Sequence, residues 1–229
     1  MKLKNIAKWI PLLLMILTVA VIAASWIGNI YDAGWRNLLS ADGIRWTVSQ
    51  FIPNMEKAPV GLIVFILITV SILVESGLLS AFHRRSLKKN RAMSVTLFVF
   101  LLLCGLVSLM LFLPDAILLS PFGTISESPF MEGLCGIICM IIIIASNVYG
   151  YSSGRFIHLT DALTAHTIFI MHSAPYFVSL ILSAELLACV NYIGMIDEGT
   201  FLFKLIAYII YIVPLAIEII IAVEREYSK

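Results

Sequence analysis

Hydrophobic positions come in long blocks along this chain, parted by short polar joints. The first block covers residues 9–30 and follows Lys2, Lys4 and Lys8. A second covers 59–79, a third 95–119, a fourth 133–146, a fifth 161–193 and a sixth 201–223. A helix needs about 20 apolar residues to cross a bilayer, so these blocks predict five or six spans. A transmembrane barrel would instead show alternating polarity in segments of about ten residues, and no sustained alternation occurs. The expected fold is all-α, a polytopic transmembrane helical bundle, with 1–229 as a single membrane domain.

The joints add orientation. Segment 35–57 is amphipathic, with Trp35 and Trp46 beside Arg36 and Arg45. Aromatic rings flanked by cations suit the headgroup level, so an interfacial helix is expected there. Segment 82–93 carries Arg84, Arg85, Lys88, Lys89 and Arg91. The positive-inside rule places this basic loop in the cytoplasm. Two spans before it return the N-terminus to the cytoplasm as well, in agreement with Lys2, Lys4 and Lys8. The first block exceeds the usual h-region of a signal peptide, about 7–15 residues, and reads as a retained span.

Composition confirms the class. Of 229 residues, 61% are hydrophobic and 13% charged, with a net charge of +1. Soluble domains carry roughly 25% charged residues, so an ordinary cytosolic enzyme and a disordered tail are excluded. The small net charge offers no footprint for nucleic acid. The bilayer is the expected partner, with the bacterial inner membrane as the expected site. Cys104, Cys135, Cys139 and Cys189 all lie in apolar runs. Cys135 and Cys139 share a helix face but lack His or acidic neighbours at ligand spacing, and read as small buried hydrophobes.

Two blocks are interrupted. Pro114 and Asp115 break the third, which closes at Pro121 and Gly123 and predicts a re-entrant hairpin or an incomplete span. The fourth runs into Asn147, Gly150, Ser152, Ser153, Gly154 and Arg155, which predicts a broken helix. Broken helices expose backbone groups that bind ions and carboxylates in secondary transporters. Acids inside spans are functional candidates by default; here they are Asp115, Asp161, Glu185 and Glu218. Asp115 and Asp161 adjoin the breaks. Asp161 also follows Thr160 at a helix start, where a capping role is the alternative. Glu185 and Glu218 read as buried partners for Lys204 or for backbone groups. His158, His166 and His172 cluster near the second break, but their spacing does not share one helix face, and no HExxH pair occurs. No resident metal or organic cofactor is expected, only Na⁺ or H⁺ as a coupling ion. No paired acid or Ser–Lys arrangement points to a hydrolase, so no enzyme is expected.

Several stretches resemble the p-aminobenzoyl-glutamate transporter (AbgT) family. They are Asn37 to Ser40 with Gly43, Arg45 and Trp46, then Ala58 to Leu62, and Val74 to Ser80. Later, Tyr149 to Gly154 and Thr160 to Thr164 are similar to that family's Gly-rich break and helix start, and Pro114 to Pro121 to its acidic hairpin. The resemblance implies the first half of such a transporter: cation-coupled movement of small carboxylates by a homodimer, or with a partner chain supplying a second half. It places a cation and substrate site at Asp161, Thr160, Asn147, Gly150, Ser152, Ser153 and Gly154, with Asp115 approaching from the hairpin. The family's amide in the break is replaced here by Gly154, and its second half has no counterpart in 1–229. A non-transporting membrane subunit derived from a transporter half is the other expectation.

Overall fold

A computed structural model describes residues 2–81, 87–112, 118–119, 125 and 128–227. They form helices α1 (Lys2–Ile30), α2 (Ala41–Glu56), α3 (Val60–Glu75), α4 (Leu78–Ala81), α5 (Leu87–Phe112), α6 (Pro129–Ser153), α7 (Leu159–His172), α8 (Ala174–Ile193) and α9 (Phe201–Tyr227). No strand occurs among the described residues. Five helices, α1, α5, α6, α8 and α9, are long and apolar enough to cross a membrane. The pair α2 and α3 would make a sixth if read as one broken span. This is the helical membrane bundle that the apolar blocks predict.

Outward-facing side chains agree. Phe98, Leu101, Leu109 and Phe112 of α5 are exposed, as are Trp9, Leu13, Ile16 and Val19 of α1. Apolar surface on this scale is not sustained in water; lipid tails solvate it without penalty. The opposite case is α8, more than half buried within the protein.

The chain forms two compact units, one from the residues up to Val60 with those from His172 on, the other from Gly61 to Met171. In the first unit α8 packs on α1, α2 and α9. Leu38, Cys189 and Ile193 form a buried cluster there with Val21, Ile22, Trp35 and Trp46. The Trp46 and Tyr192 rings stack at 4.1 Å. Ser25 is fully buried; its hydroxyl donates to Ile22 O and accepts from the Leu38 N–H. In the second unit α5 packs along α6, and α4 touches both. Ile72 of α3, Ile143 of α6, Phe156, and Ala162 and Ala165 of α7 form a core cluster there.

Three joints differ from the expected pattern. First, α6 does not break at Asn147; it runs on through Ser153. The polar side chains there do not compete with the helix. Asn147 Nδ2 donates to Ile143 O, and Ser153 Oγ donates to Gly150 O. The break comes at Gly154, whose φ of 76° ends the helix in the left-handed region open to glycine. Second, the block 161–193 is two helices, parted at Ser173. Pro175 supplies no N–H for a carbonyl one turn back, so the helix stops before it and the proline sits in the first turn of α8. Third, α3 stops at Glu75, and Gly77 at φ 77° turns the chain into α4. The expected hairpin around Pro114 and Asp115, and residues 82–86 of the basic loop, lie outside the described residues.

Candidate functional site

Among the described residues, the most buried span carries the most buried acid. Glu185 lies near the middle of α8 and is 8% exposed. Its neighbours on the helix are small or apolar: Ser183, Ala184, Leu186 and Leu187, all buried. The Asn54 amide of α2 donates to Glu185 Oε2 at 3.4 Å. Glu185 Oε1, also buried, makes no hydrogen bond. Lys204, the partner expected from sequence, is exposed instead. A carboxylate in hydrocarbon is costly unless it is neutralised or well bonded, and a single long amide bond does not satisfy four acceptor sites. The geometry therefore suits a group that takes up a proton or a small cation.

Two recesses flank this pair. A small, half-polar one of about 120 Å³ is lined by Asn54, Lys57, Asn191, Glu198 and Tyr211, with Ala184, Leu187, Ala188, Phe203 and Ala207. The Asn191 amide donates to Glu198 Oε2 at 2.9 Å, so carboxylate and amides line one wall while Lys57 adds a positive charge. A larger, mostly apolar recess of about 350 Å³ includes Glu185 itself, with Thr18, Thr47 and Cys189. Asn54 thus faces the half-polar recess and Glu185 the apolar one, joined by their hydrogen bond. Sequence reasoning ranked Glu185 below Asp161. The available signal was its place inside an unbroken apolar helix, where an acid has no structural excuse.

The expected site at the α6–α7 joint lies within the second unit. Asp161 is the third residue of α7, not its cap. Its Oδ2 accepts the N–H groups of Ile157 and His158, both at 2.9 Å. This is the back-reaching half of a capping box, with His158 in the cap position. The His158 amide first, then the Ile157 amide, hold the carboxyl below the usual carboxylate range. Asp161 therefore stays ionised. Gly150 serves packing: a Cβ there would lie 2.2 Å from the Phe156 ring. Its carbonyl also accepts the N–H groups of Arg155 and Phe156. Thr160 O accepts the Thr164 hydroxyl, and Ser152 is exposed on the last turn of α6.

The structure does bring Asn147 to one of the histidines. Its Nδ2 lies 3.3 Å from His166 Nε2, and His166 Nδ1 lies 2.6 Å from Ala162 O. A carbonyl can only accept, so Nδ1 carries the proton and Nε2 accepts from the amide. Among the described residues no group of three His, Cys, Asp or Glu side chains is placed to hold a metal ion. Asp115 lies outside the described residues. Compared with protein-family models, with curated proteins and with solved structures, the chain matches none.

Proposed function

We propose that this integral membrane protein is a cation-coupled transporter in which Glu185 carries the coupling ion, H⁺ or Na⁺. The observation that supports this reading is the buried carboxylate in α8, with Asn54 on one oxygen and no hydrogen bond on the other. An acid in mid-span is costly and is useful where its charge is neutralised and restored in turn. Asn54, at the half-polar recess, is the group through which an ion would reach Glu185. Asp161, whose two bonds both fall on Oδ2, is a second acid open to a cation. The cargo is a small carboxylate of the p-aminobenzoyl-glutamate kind, as the AbgT resemblance implies, with Lys57 as its charge partner. A homodimer or a partner chain supplies the remaining half of the pathway in the bacterial inner membrane, with the N-terminus in the cytoplasm.

Reconstituted vesicles test this. Labelled p-aminobenzoyl-glutamate should move only under a Na⁺ or pH gradient, and Glu185→Gln should uncouple movement while the protein still unfolds cooperatively. The second reading, a non-transporting subunit, is favoured by the use of Asp161 as a turn staple. Absence of flux under either gradient would select it.

A further inference from the structure

The second unit carries a polar cradle joined to an apolar groove. The cradle, about 260 Å³, is lined by Ser76, Gly77 and Ser80 at the α3–α4 turn, Lys89 of α5, and Tyr149, Ser153 and Arg155 at the end of α6. Gly77 holds φ at 77°, a conformation that favours glycine, and a Cβ there would lie 2.7 Å from Arg155 Nη1, the end of a side chain that would have to shift. The Ser76, Ser80 and Ser153 hydroxyls now donate to carbonyls of their own turns. Ser80 and Ser153, both half-buried, can rotate outward at the loss of one such bond, whereas Ser76 is fully buried and also accepts the Leu78 N–H. The cradle thus offers the Lys89 ammonium and the Ser80 and Ser153 hydroxyls, beside an Arg155 guanidinium that already has a partner, the chemistry of a phosphate site.

The groove, about 300 Å³, is lined by Leu73, Leu78, Met93, Leu97, Phe100 and Ala145, among others. The Thr96 hydroxyl in its lining is committed to Ala92 O. Cradle and groove share the same helix faces. On α5, Lys89 lines the cradle, while Met93, Leu97 and Phe100 line the groove at helical spacing. On α6, Tyr149 and Ser153 belong to the cradle, Ile142 and Ala145 to the groove. Leu78 and Met93 line the groove and pack against the buried cluster of Ala81, Ala92 and Tyr149, of which Tyr149 lines the cradle. The line from Lys89 to Phe100 is about 16 Å long at 1.5 Å per residue. A charged end followed by an apolar trough of this length matches an amphiphile. Lys89 also lies in the basic stretch from Arg84 to Arg91, at the end of α5 where an anionic leaflet surface would be met.

We propose that the cradle binds the phosphate headgroup of an anionic glycerophospholipid, with one acyl chain lying in the groove. Native mass spectrometry of the full-length protein, with phosphatidylglycerol, phosphatidylcholine or inorganic phosphate added, tests it. Expected is one phosphatidylglycerol retained in preference to phosphatidylcholine. Lys89→Ala should weaken this binding about tenfold or more, the factor expected for one charge-assisted hydrogen bond. Ala145→Phe should weaken it by blocking the groove. Arg45→Ala, at an exposed position, removes a positive charge elsewhere and should leave binding intact. Equal retention of both lipids would overturn the proposal, as would full binding by both variants. Inorganic phosphate that displaces the lipid from wild type and binds Ala145→Phe undiminished would also overturn it, leaving a soluble-anion site. Cooperative thermal unfolding of each variant separates lost binding from lost fold.

Discussion

Asn54 and Glu185, 131 residues apart in sequence, meet through one hydrogen bond of 3.4 Å inside the first unit. Both side chains are buried, so removing either one leaves the other short of a hydrogen-bond partner. Replacing Asn54 by Leu strips the carboxylate of its donor and should destabilise the protein by about 1–3 kcal/mol. Glu185→Leu removes the acid itself and should be neutral or stabilising, since an apolar residue replaces an incompletely bonded polar one. Thermal unfolding in detergent compares the two. A Glu185→Leu variant less stable than Asn54→Leu would mean that the carboxylate holds the fold together.

Gly150 and Phe156 make a second close pair. The built Cβ at Gly150 falls 2.2 Å and 2.3 Å from two ring carbons. The ring cannot withdraw, because it is buried against Ile72, Ala162 and Ala165. Gly150→Ala should therefore cost about 1–3 kcal/mol through overpacking, although alanine is the better helix former. Phe156→Leu should be costly alone, yet should cancel much of the alanine penalty in the double variant. A double-mutant cycle with no coupling would show that the ring is free to move.

Asp161 sets a pH dependence of known sign. Two backbone amides depress its folded-state pKa, so its contribution is present above the ordinary carboxylate pKa, near 3.9. It is lost as pH falls through the lowered folded value. The advantage of wild type over Asp161→Ala should accordingly be constant near neutrality and shrink in acid. Asp161→Asn retains an acceptor oxygen for the Ile157 and His158 amides and should fall between the two, with little pH dependence of its own. Melting curves between neutral pH and pH 3 provide the check; a wild-type advantage unchanged in acid would exclude the capping role.

Much of this architecture can be read from the chain. Bilayer thickness fixes how long an apolar run must be, so the spans at 9–30 and 201–223 are legible from length alone. The joints are less so. Asn147, Ser152 and Ser153 look like helix breakers, but a helix tolerates them when their side chains bond back one turn, as Asn147 and Ser153 do. The true stop depends on the single left-handed residue Gly154. The capping alternative for Asp161 was legible to within a residue or two; that it reaches backward rather than forward is a matter of turn geometry. The Asn54–Glu185 pair could not be read at all, because nothing local in either segment specifies a partner so distant in sequence.

Ser71 ties α3 to α7 through its side chain. Its hydroxyl donates to Ala165 O and accepts the N–H of Phe169. Those two groups are four residues apart on α7, so the hydroxyl of α3 sits on a rung of the neighbouring helix's own ladder. Ser71 is fully buried, and a serine is small enough for the two backbones to approach. Ser71→Ala keeps that approach and lets the α7 rung close on itself, so it should cost only about 0.5–1.5 kcal/mol. Ser71→Val keeps neither the bond nor the clearance and should cost more, by forcing α3 from α7. Hydrogen exchange at the Phe169 amide distinguishes the causes. It should speed up strongly in the valine variant and little in the alanine one; equal acceleration in both would show that the hydroxyl, not the close approach, secures this pair of helices.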